Sequence, residues 1–400
     1  MTGIGAVLLG LDMLIVTIQM ALLVRQLVVQ LHRNNVQDWS FPILNFLYFK
    51  TPDKVMRNYL GYLFFGLFVF FACNNKKGDI DHVEYVNLNP QGFFDEERYN
   101  IFLTEAKITT DNEDVFFSLG HQGLIIRTDS LLNLMSFVNG RDSFPEFDFP
   151  TNLVVKDDKL FVEELAYQRV FIMNKKNYKL INMVKFPIPS MGIGINISEE
   201  NELAYSFYPE QGKTGLAWVD LGGGQAKTSR DFFPQEGKIR MSDQIRLGCF
   251  CQTDRLWSLG RFMPKLELLD EDGEVKKQFD LMQFEPLKRA FDTLMVRRKN
   301  TPNFELNGVS QNIVTSLDCF ENKLLVGFTD LVGLDRSNVR HLLLFAADEQ
   351  GINLEKILRL KTGNDDELYH FQSVKYNPKT SLLYAQGLES NRIYVFPVNL

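Results

Sequence analysis

From residue 108 onward, one hydrophobic pattern recurs: an alternating strand, a polar turn and a second alternating strand. Alternation of apolar and polar residues is typical of half-buried strands, and the turns contain residues that tolerate tight geometry. The copies are Ile108–Leu119, Leu153–Leu165, Ile195–Phe207, Leu247–Leu259, Ser316–Phe328 and Ser373–Gln386. Their starts are roughly 40 to 70 residues apart, the spacing of propeller blades except for one long gap.

A third strand follows the second in every copy, and most copies then add a turn and a fourth strand. The third strands are Gly123–Thr128, Arg169–Asn174, Gly215–Leu221, Lys265–Asp270, His341–Ala347 and Arg392–Val398. Fourth strands include Glu274–Leu281 and Ile352–Leu360. Four antiparallel strands in each of six copies predict an all-β fold, a six-bladed β-propeller with four-stranded blades.

The last copy ends on its third strand near Leu400, so its blade lacks a fourth strand. An N-terminal strand that supplied it would close the ring and remove a free sheet edge. The first candidate for this strand is His82–Asn89 and the second is Tyr99–Thr104. A seven-bladed ring is the alternative if the long gap before the fifth copy contains a further blade.

That gap contains Pro286–Asn300, PLKRAFDTLMVRRKN. Proline at the start and the spacing of Leu287, Phe291 and Leu294 predict a short amphipathic helix. The segment is strongly basic. It is either a solvated insertion between blades or a docking surface for an acidic partner or lipid headgroups.

Two apolar segments precede the repeats. Ala6–Val24 has nearly the ~20 residues that span a bilayer, whereas Tyr59–Ala72 is shorter and resembles the apolar core of a signal peptide. Met56 and Arg57 precede the second segment, and Cys73 follows it. This order is that of a secretory signal: a basic start, an apolar middle and a small residue at the cleavage site.

These features predict the domain organisation. Residues 1–55 are a doubtful extension, either an over-extended start or a membrane segment; 56–72 are a lipoprotein signal peptide, 73–81 a tether and 82–400 the propeller. The alternative is that both apolar segments form a permanent membrane anchor.

Two short motifs resemble known families. Phe70–Cys73, FFAC, resembles a bacterial lipobox, and Arg392–Phe396 after Asn391 resembles the NHL-type propeller repeat, with a weaker echo at Tyr167–Asn174. Together with the six-fold repeat, residues 73–400 resemble the TolB-like six-bladed propeller lipoproteins of Gram-negative bacteria. The resemblance implies lipid attachment at Cys73 and a membrane-anchored place in the cell envelope, on its periplasmic or surface side.

Composition and charge narrow the function further. The chain of 400 residues has a net charge of −7, which gives no indication of nucleic-acid binding. Beyond Cys73 there are three cysteines, an odd number that argues against a full disulfide framework. Cys249 and Cys251 would face the same side of a strand, but too few Cys and His residues have metal-site spacing. We therefore expect Cys249, Cys251 and Cys319 to be buried apolar cysteines, and we predict no metal and no cofactor.

The sequence contains neither an HExxH nor a GxSxG motif, so no catalytic set is predicted. Every copy does carry a basic or His residue in the connection from its second to its third strand. These candidates are His121, Arg169, Lys213, Arg261, Arg340 and Arg392. Equivalent connections lie on one face of a propeller, around the mouth of its channel, so these side chains form a candidate anion-binding ring. The alternative is that each pairs with a neighbouring blade.

These observations favour a cell-envelope lipoprotein with a β-propeller that works as a binding or scaffold domain. Its expected partners are a membrane, through the lipid, and an envelope protein or anionic ligand, but no nucleic acid. The alternative is a propeller hydrolase or lyase acting on a glycan or lactone. It would use carboxylates near the channel such as Glu163, Glu164 and Glu210.

Overall fold

The computed structural model describes residues 83–103, 105–142, 146–207, 215–222, 226–228, 245–251, 255–270, 272–300, 313–329, 339–348, 351–361, 371–387 and 391–400. The predicted signal peptide, the tether and Cys73 therefore lie outside the described residues. Among the described helices, none has the length and apolar content needed to cross a bilayer.

Two strands and one short helix precede the blades: β1 (Glu84–Leu88), β2 (Gly92–Asp95) and α1 (Glu96–Tyr99). Blade one consists of β3 (Lys107–Thr110), β4 (Asp114–Leu119), β5 (Leu124–Asp129) and β6 (Leu134–Asn139). Blade two consists of β7 (Pro150–Lys156), β8 (Lys159–Glu164), β9 (Arg169–Asn174) and β10 (Leu180–Lys185). Blade three consists of β11 (Ser190–Ile197), β12 (Glu202–Phe207), β13 (Leu216–Asp220) and β14 (Lys227–Thr228).

Blade four consists of β15 (Arg246–Phe250), β16 (Leu256–Gly260), β17 (Lys265–Leu269) and β18 (Val275–Asp280), followed by the helix α2 (Glu285–Asn300). Blade five consists of β19 (Val314–Phe320), β20 (Lys323–Thr329), β21 (Val339–Ala347) and β22 (Ile352–Leu360). The last three strands are β23 (Phe371–Asn377), β24 (Leu382–Gly387) and β25 (Arg392–Pro397). Consecutive strands within each blade pair antiparallel.

An N-terminal strand closes the ring, as predicted, but it is not the expected one. β2 pairs antiparallel with β25 and completes blade six, while β1 pairs parallel with β22 as a fifth strand on the edge of blade five. The placement of His82–Asn89 was therefore wrong, and Tyr99–Thr104 begins inside α1. The burial pattern explains the difference. Phe94 of β2 is buried between blades, whereas β1 buries mainly Leu88 and exposes Tyr85, as an edge strand does.

The hydrophobic core lies between blades rather than within them. Every pair of neighbouring blades in the ring shares a buried cluster, including the closing pair of blades six and one. Tyr384 of blade six, for example, packs in one cluster with Phe117 of blade one. Fully burying such a side chain contributes about 1.5–3 kcal/mol. The closing interface thus has the same kind of core as the other five, and the ring has six blades.

The helix predicted in the long gap is present as α2, so the gap holds a helix where a seventh blade was the alternative. Leu287, Ala290 and Leu294 lie on its buried face and extend the core between blades four and five. On its exposed face, Lys288 Nζ lies 2.6 Å from Asp292 Oδ2. The docking role considered for this basic segment stays a prediction.

The first strands of the blades contact one another around the ring and line the central channel. They run in the same direction. Ser373 Oγ near the start of β23 accepts a hydrogen bond from Ile108 N of β3 (3.2 Å), and Asn377 Nδ2 at its end donates to Asp111 O (2.5 Å). We call the end where these strands begin the mouth of the channel, and the opposite end the far end.

Candidate functional site

Two cationic side chains come from opposite sides of the ring, and the charge of one, Arg261, acts on the other, Lys107, at the mouth. Lys107 is the first residue of β3 in blade one, and Arg261 lies between β16 and β17 in blade four. In a six-membered ring these blades face each other across the channel. The main chain of Arg261 is held firmly, since its N–H donates to Ile245 O (3.0 Å) and its carbonyl accepts from Ile313 N and Val314 N. Both side chains are half-buried.

The electrostatics of this pair are unfavourable without a counter-ion. Burial and the nearby Arg261 charge lower the pKa of Lys107, and burial lowers the pKa of Arg261 to about 10. Among the described residues, neither cation has an acidic partner within ion-pair distance. Arg261 Nε makes one long hydrogen bond, 3.5 Å, to Val314 O. Because a desolvated charge without a partner is costly, the pair favours a bound anion.

Glu163 forms the wall of the mouth beside Lys107. Its buried carboxylate accepts hydrogen bonds from Thr151 Oγ1 (3.1 Å), Asn152 Nδ2 and Ser190 Oγ. Burial raises the pKa of Glu163, while these donors and the Lys107 charge oppose the shift. The carboxylate influences Lys107 electrostatically but is committed to the first strands of blades two and three.

Glu164, the other described carboxylate proposed for catalysis, does not face Glu163. Glu164 follows it on β8, so its side chain points to the opposite face of the sheet. The Glu164 carboxylate accepts from the backbone N–H groups of Phe149 and Tyr167, each at 3.1 Å. Glu210 lies outside the described residues. Glu163 and Glu164 therefore perform structural roles in blades two and three.

Two members of the predicted cationic ring are held within or beside their own blades. Arg169 begins β9, stacks 4.5 Å from the ring centres of Tyr167 and Phe171, and lies 3.6 Å from Glu164 Oε2. Arg392 begins β25, stacks 4.3 Å from the centre of Phe93, and lies 3.3 Å from Asp95 Oδ2. Both arginines thus have aromatic and acidic partners already.

The remaining members are distributed differently. His121 is exposed in a turn between β4 and β5, with Nε2 3.3 Å from Glu105 Oε2. Lys213 and the side chain of Arg340 lie outside the described part of the chain. Of the described side chains in the predicted ring, Arg261 is the one that meets a second cation in the mouth. Recognition of an anion by the whole ring stays a prediction.

Lys107 was not predicted from the sequence, because the predicted cations all lie in connections between second and third strands. Lys107 instead begins a first strand, directly before the apolar alternation of Ile108. The signal that identifies it is a basic residue where an innermost strand enters the channel. This signal indicates a site residue only when the opposite blade supplies a second cation, here Arg261.

A second cluster lies towards the far end, between blades four and five. Cys249 near the end of β15, Cys251 directly after this strand, and Cys319 near the end of β19 bring their Sγ atoms within 4.8 Å of one another. Cys249 is buried and the other two are half-buried, and all three are free thiols. All three were expected to be buried apolar cysteines: Cys249 is buried, but Cys251 and Cys319 are half-buried, and the clustering of the three was not predicted.

The three thiols form one coupled acid. Hydrogen bonds from the Cys249 and Cys319 thiols lower the pKa of Cys251 to about 5, while burial raises the pKa of Cys249 and of Cys319. Hydrogen bonds from the other two thiols therefore favour the thiolate form of Cys251. Lys375 of β23 lies close enough to interact electrostatically with these thiols, and its Nζ is 2.6 Å from Asp318 Oδ1.

A signal for this cluster was present in the repeat itself. Leu256 pairs with Phe250 in blade four, and the equivalent Leu324 pairs with Cys319 in blade five. Cys319 therefore occupies the repeat position of Phe250, one residue out of phase with Cys249 and Cys251. Because alternate strand residues face opposite neighbours, the cysteines of adjacent blades face each other.

Comparisons with known proteins identify no family for this chain. No protein-family model and no curated protein matches the chain. Among solved structures, the chain is similar to the Cps50 (Swd1) β-propeller domain of Myceliophteria thermophila, with 14% identity, a TM-score of 0.49, and 78% of this chain and 100% of that chain covered.

Two bacterial structures are similar at comparable levels. A Bacteroides fragilis protein described as exported has 9% identity, a TM-score of 0.44, and 73% of this chain and 89% of its own covered. Virginiamycin B lyase from Staphylococcus aureus has 10% identity, a TM-score of 0.41, and 73% and 80% covered. At these identities and TM-scores, the similarities carry no information about function or family.

Proposed function

We propose that the protein is a cell-envelope lipoprotein whose β-propeller is a binding domain, and that the channel mouth receives an anionic group of its ligand. The observation that carries this proposal is the approach of Lys107 and Arg261 from opposite blades with no described acidic partner at ion-pair distance. An anion between them would relieve both the desolvation and the repulsion of the two cations.

The chemistry of the two cations indicates the kind of ligand. The planar Arg261 guanidinium matches a carboxylate or phosphate with paired donors, whereas the Lys107 ammonium acts as a compact charge. Glu163 beside Lys107 offers no positive charge to a second anionic group on that side. We therefore propose a ligand with a single carboxylate and neutral hydroxyl groups, for which a uronic acid is a suitable probe.

Calorimetric titration of the full-length protein in detergent with glucuronate tests this proposal. Lys107→Gln and Arg261→Gln are expected to weaken binding by at least about tenfold each, the effect of one charge-assisted hydrogen bond. Lys277→Gln is the matched control, since Lys277 is exposed on the outer strand β18. Inorganic phosphate as a second probe distinguishes a carboxylate site from a general anion site.

Equal affinity for glucuronate in the wild type and in the Lys107→Gln/Arg261→Gln double variant would contradict the mouth as the binding site. A complete absence of binding by the wild type to both probes would contradict anion binding. Circular dichroism of each variant establishes that loss of binding is not loss of fold.

The envelope location is supported by the sequence around Cys73, where an apolar run ends in Ala72 before the cysteine. Lipid attachment at Cys73 with several acyl chains would hold the propeller at a membrane far better than a single chain. Metabolic labelling with a palmitate analogue in a Gram-negative host tests it, together with N-terminal mass analysis. Wild type and Cys319→Ala are expected to be labelled and Cys73→Ala is not; label on Cys73→Ala refutes the proposed anchor.

Binding is favoured over the hydrolase or lyase alternative because the described carboxylates near the mouth have structural partners. Glu163 is held by side chains of blades two and three, and Glu164 by two backbone N–H groups. Catalysis of glycan or lactone cleavage requires a carboxyl or His group that is available to the substrate.

A further inference from the structure

From the arrangement of Cys249, Cys251 and Cys319, we propose that the propeller holds a thiophilic d¹⁰ metal ion, Zn²⁺ or Cu⁺, between blades four and five. Soft thiolate ligands select these ions, and the three sulfur atoms already converge without any change of the backbone. This site is separate from the channel mouth and does not depend on the function proposed for it.

The spacing of the sulfur atoms fits such an ion. With metal–sulfur bonds of about 2.3 Å, a trigonal ion requires sulfur atoms ~4.0 Å apart and a tetrahedral ion requires ~3.8 Å. In the protein all three Sγ atoms lie within 4.8 Å of one another. Small rotations of the side chains therefore suffice to complete either geometry.

The strands hold the cysteine ligands in position before a metal ion binds. β15 and β19 are innermost strands, each paired along its length with the next strand of its blade, and they contact each other directly. Cys249 projects from the first of these strands and Cys319 from the second, and Cys251 directly follows β15. Ligands on two paired strands keep their positions better than ligands on a loop, which lowers the cost of organising the site.

The Lys375 ammonium offsets part of the charge that metal binding creates, whereas the Asp318 carboxylate opposes it. Three thiolates give a net charge of −1 with Zn²⁺ and −2 with Cu⁺. The Lys375 ammonium interacts electrostatically with Cys249 and Cys319, and the Asp318 carboxylate positions it at 2.6 Å. Asp318 also accepts a hydrogen bond from Tyr376 N (3.3 Å), so the pair is fixed between blades five and six.

Metal binding here is proton exchange without redox chemistry. Each sulfur that enters the site as a thiol forms a bond to the metal and releases its proton to solvent, and no electrons are transferred. The trigonal arrangement suits Cu⁺ directly, whereas Zn²⁺ would add a water molecule as its fourth ligand.

The test uses the full-length protein with Cys73→Ala, so that these three cysteines are the only thiols of the chain. The reduced protein is titrated in detergent with Zn²⁺ and, without oxygen, with Cu⁺, each against a chromophoric chelator. We expect one ion per chain and a thiolate-to-metal absorption band. Stronger competition for Zn²⁺ or for Cu⁺ identifies which ion the site prefers.

Ligand variants distinguish the site from adventitious binding. Cys251→Ser and Cys319→Ser are expected to weaken binding by more than the roughly 10–100-fold that loss of an outer-shell partner costs. His121→Ala is the matched control, because His121 and Glu105 form an exposed pair that can also attract metal. This variant is expected to keep full affinity.

Several results would overturn the proposal. One is failure of the wild-type thiols to compete for either ion; another is unchanged affinity in both serine variants. Recovery of a stable disulfide among the three cysteines after purification under reducing conditions would replace the metal site with a redox pair. Near-ultraviolet circular dichroism of the metal-free variants shows whether a loss of affinity reflects unfolding.

Discussion

The two ends of the channel bring functional side chains together in different ways, from opposite blades at one end and from adjacent blades at the other. At the mouth, Lys107 and Arg261 have long side chains and come from blades that face each other across the ring. Towards the far end, Cys249, Cys251 and Cys319 have short side chains and come from adjacent blades. Long side chains can cross the channel, whereas thiols meet only where neighbouring strands are in contact.

The two ends also differ in whether their charged groups have partners among the described residues. The cysteine cluster shares hydrogen bonds among its own members, and Lys375 beside it is paired with Asp318. The two cations at the mouth have no such described acidic partner. Blade four supplies a direct contrast, since its buried Arg246 lies 2.6 Å from Glu267 Oε2. A cation with a built-in partner supports the fold, whereas cations without one are available to a ligand.

The strongest test of this contrast removes the partner of the paired cation. Glu267→Gln removes the carboxylate that lies 2.6 Å from the buried Arg246 guanidinium, and breaking such a pair typically costs about 3–5 kcal/mol. We expect the free energy of unfolding in urea to fall by that amount. Glu113→Gln, at an exposed turn, is expected to change it by less than about 0.5 kcal/mol. A similar small effect for both would show that Arg246 does not depend on Glu267.

The same contrast explains how much of the fold and of the two sites could be predicted from the sequence. Strand alternation and turn residues depend on local sequence, so they predicted the six blades and α2 correctly. The closing strand was misassigned because β1 and β2 differ in which sheet edge they reach, a long-range choice. Arg261 was predicted from its place in the repeat. Lys107 and Cys319 become candidate site residues only through their contacts with other blades. Those contacts depend on ring geometry and on strand phase between copies.

At the far end, burial predicts unequal effects of equivalent substitutions in the metal-free protein. Cys249 is fully buried in an apolar cluster, so Cys249→Ser is expected to lower the free energy of unfolding by about 1–3 kcal/mol. Cys251 is half-buried, and Cys251→Ser is expected to cost less than about 1 kcal/mol. Urea unfolding with chelator present measures both. A larger loss for Cys251→Ser would contradict the burial order.

At the mouth, removal of Lys107, which has no ion-pair partner among the described residues, is expected not to harm the fold. Lys107→Met replaces a desolvated ammonium with an apolar group of similar length, so we expect stability to stay constant or rise by up to about 1 kcal/mol. Lys156→Met is the matched control, since Lys156 Nζ donates to Ser198 O (2.8 Å) and Glu199 O (2.7 Å). The control is expected to lose about 1 kcal/mol. The same sign for both variants would contradict the distinction between paired and unpaired lysines.

The smallest expected effect is a pH dependence from Glu163. Since burial raises the pKa of this carboxyl, the folded state favours its protonated form. The stability from this preference is fully present below the ordinary glutamate pKa and is lost as pH rises through the folded-state value. Glu163→Gln removes the titration. We therefore expect the stability of the variant relative to wild type to increase between about pH 4.5 and neutral pH.

Thermal unfolding measured across this range, with Glu113→Gln as a control that keeps the wild-type profile, provides the comparison. A stability difference that decreases as pH rises would mean that the Thr151, Asn152 and Ser190 donors and the Lys107 charge outweigh burial. Glu163 would then be a stabilised anion that partly neutralises the mouth. The contrast between a charge-satisfied far end and a mouth that requires an external anion would be correspondingly weaker.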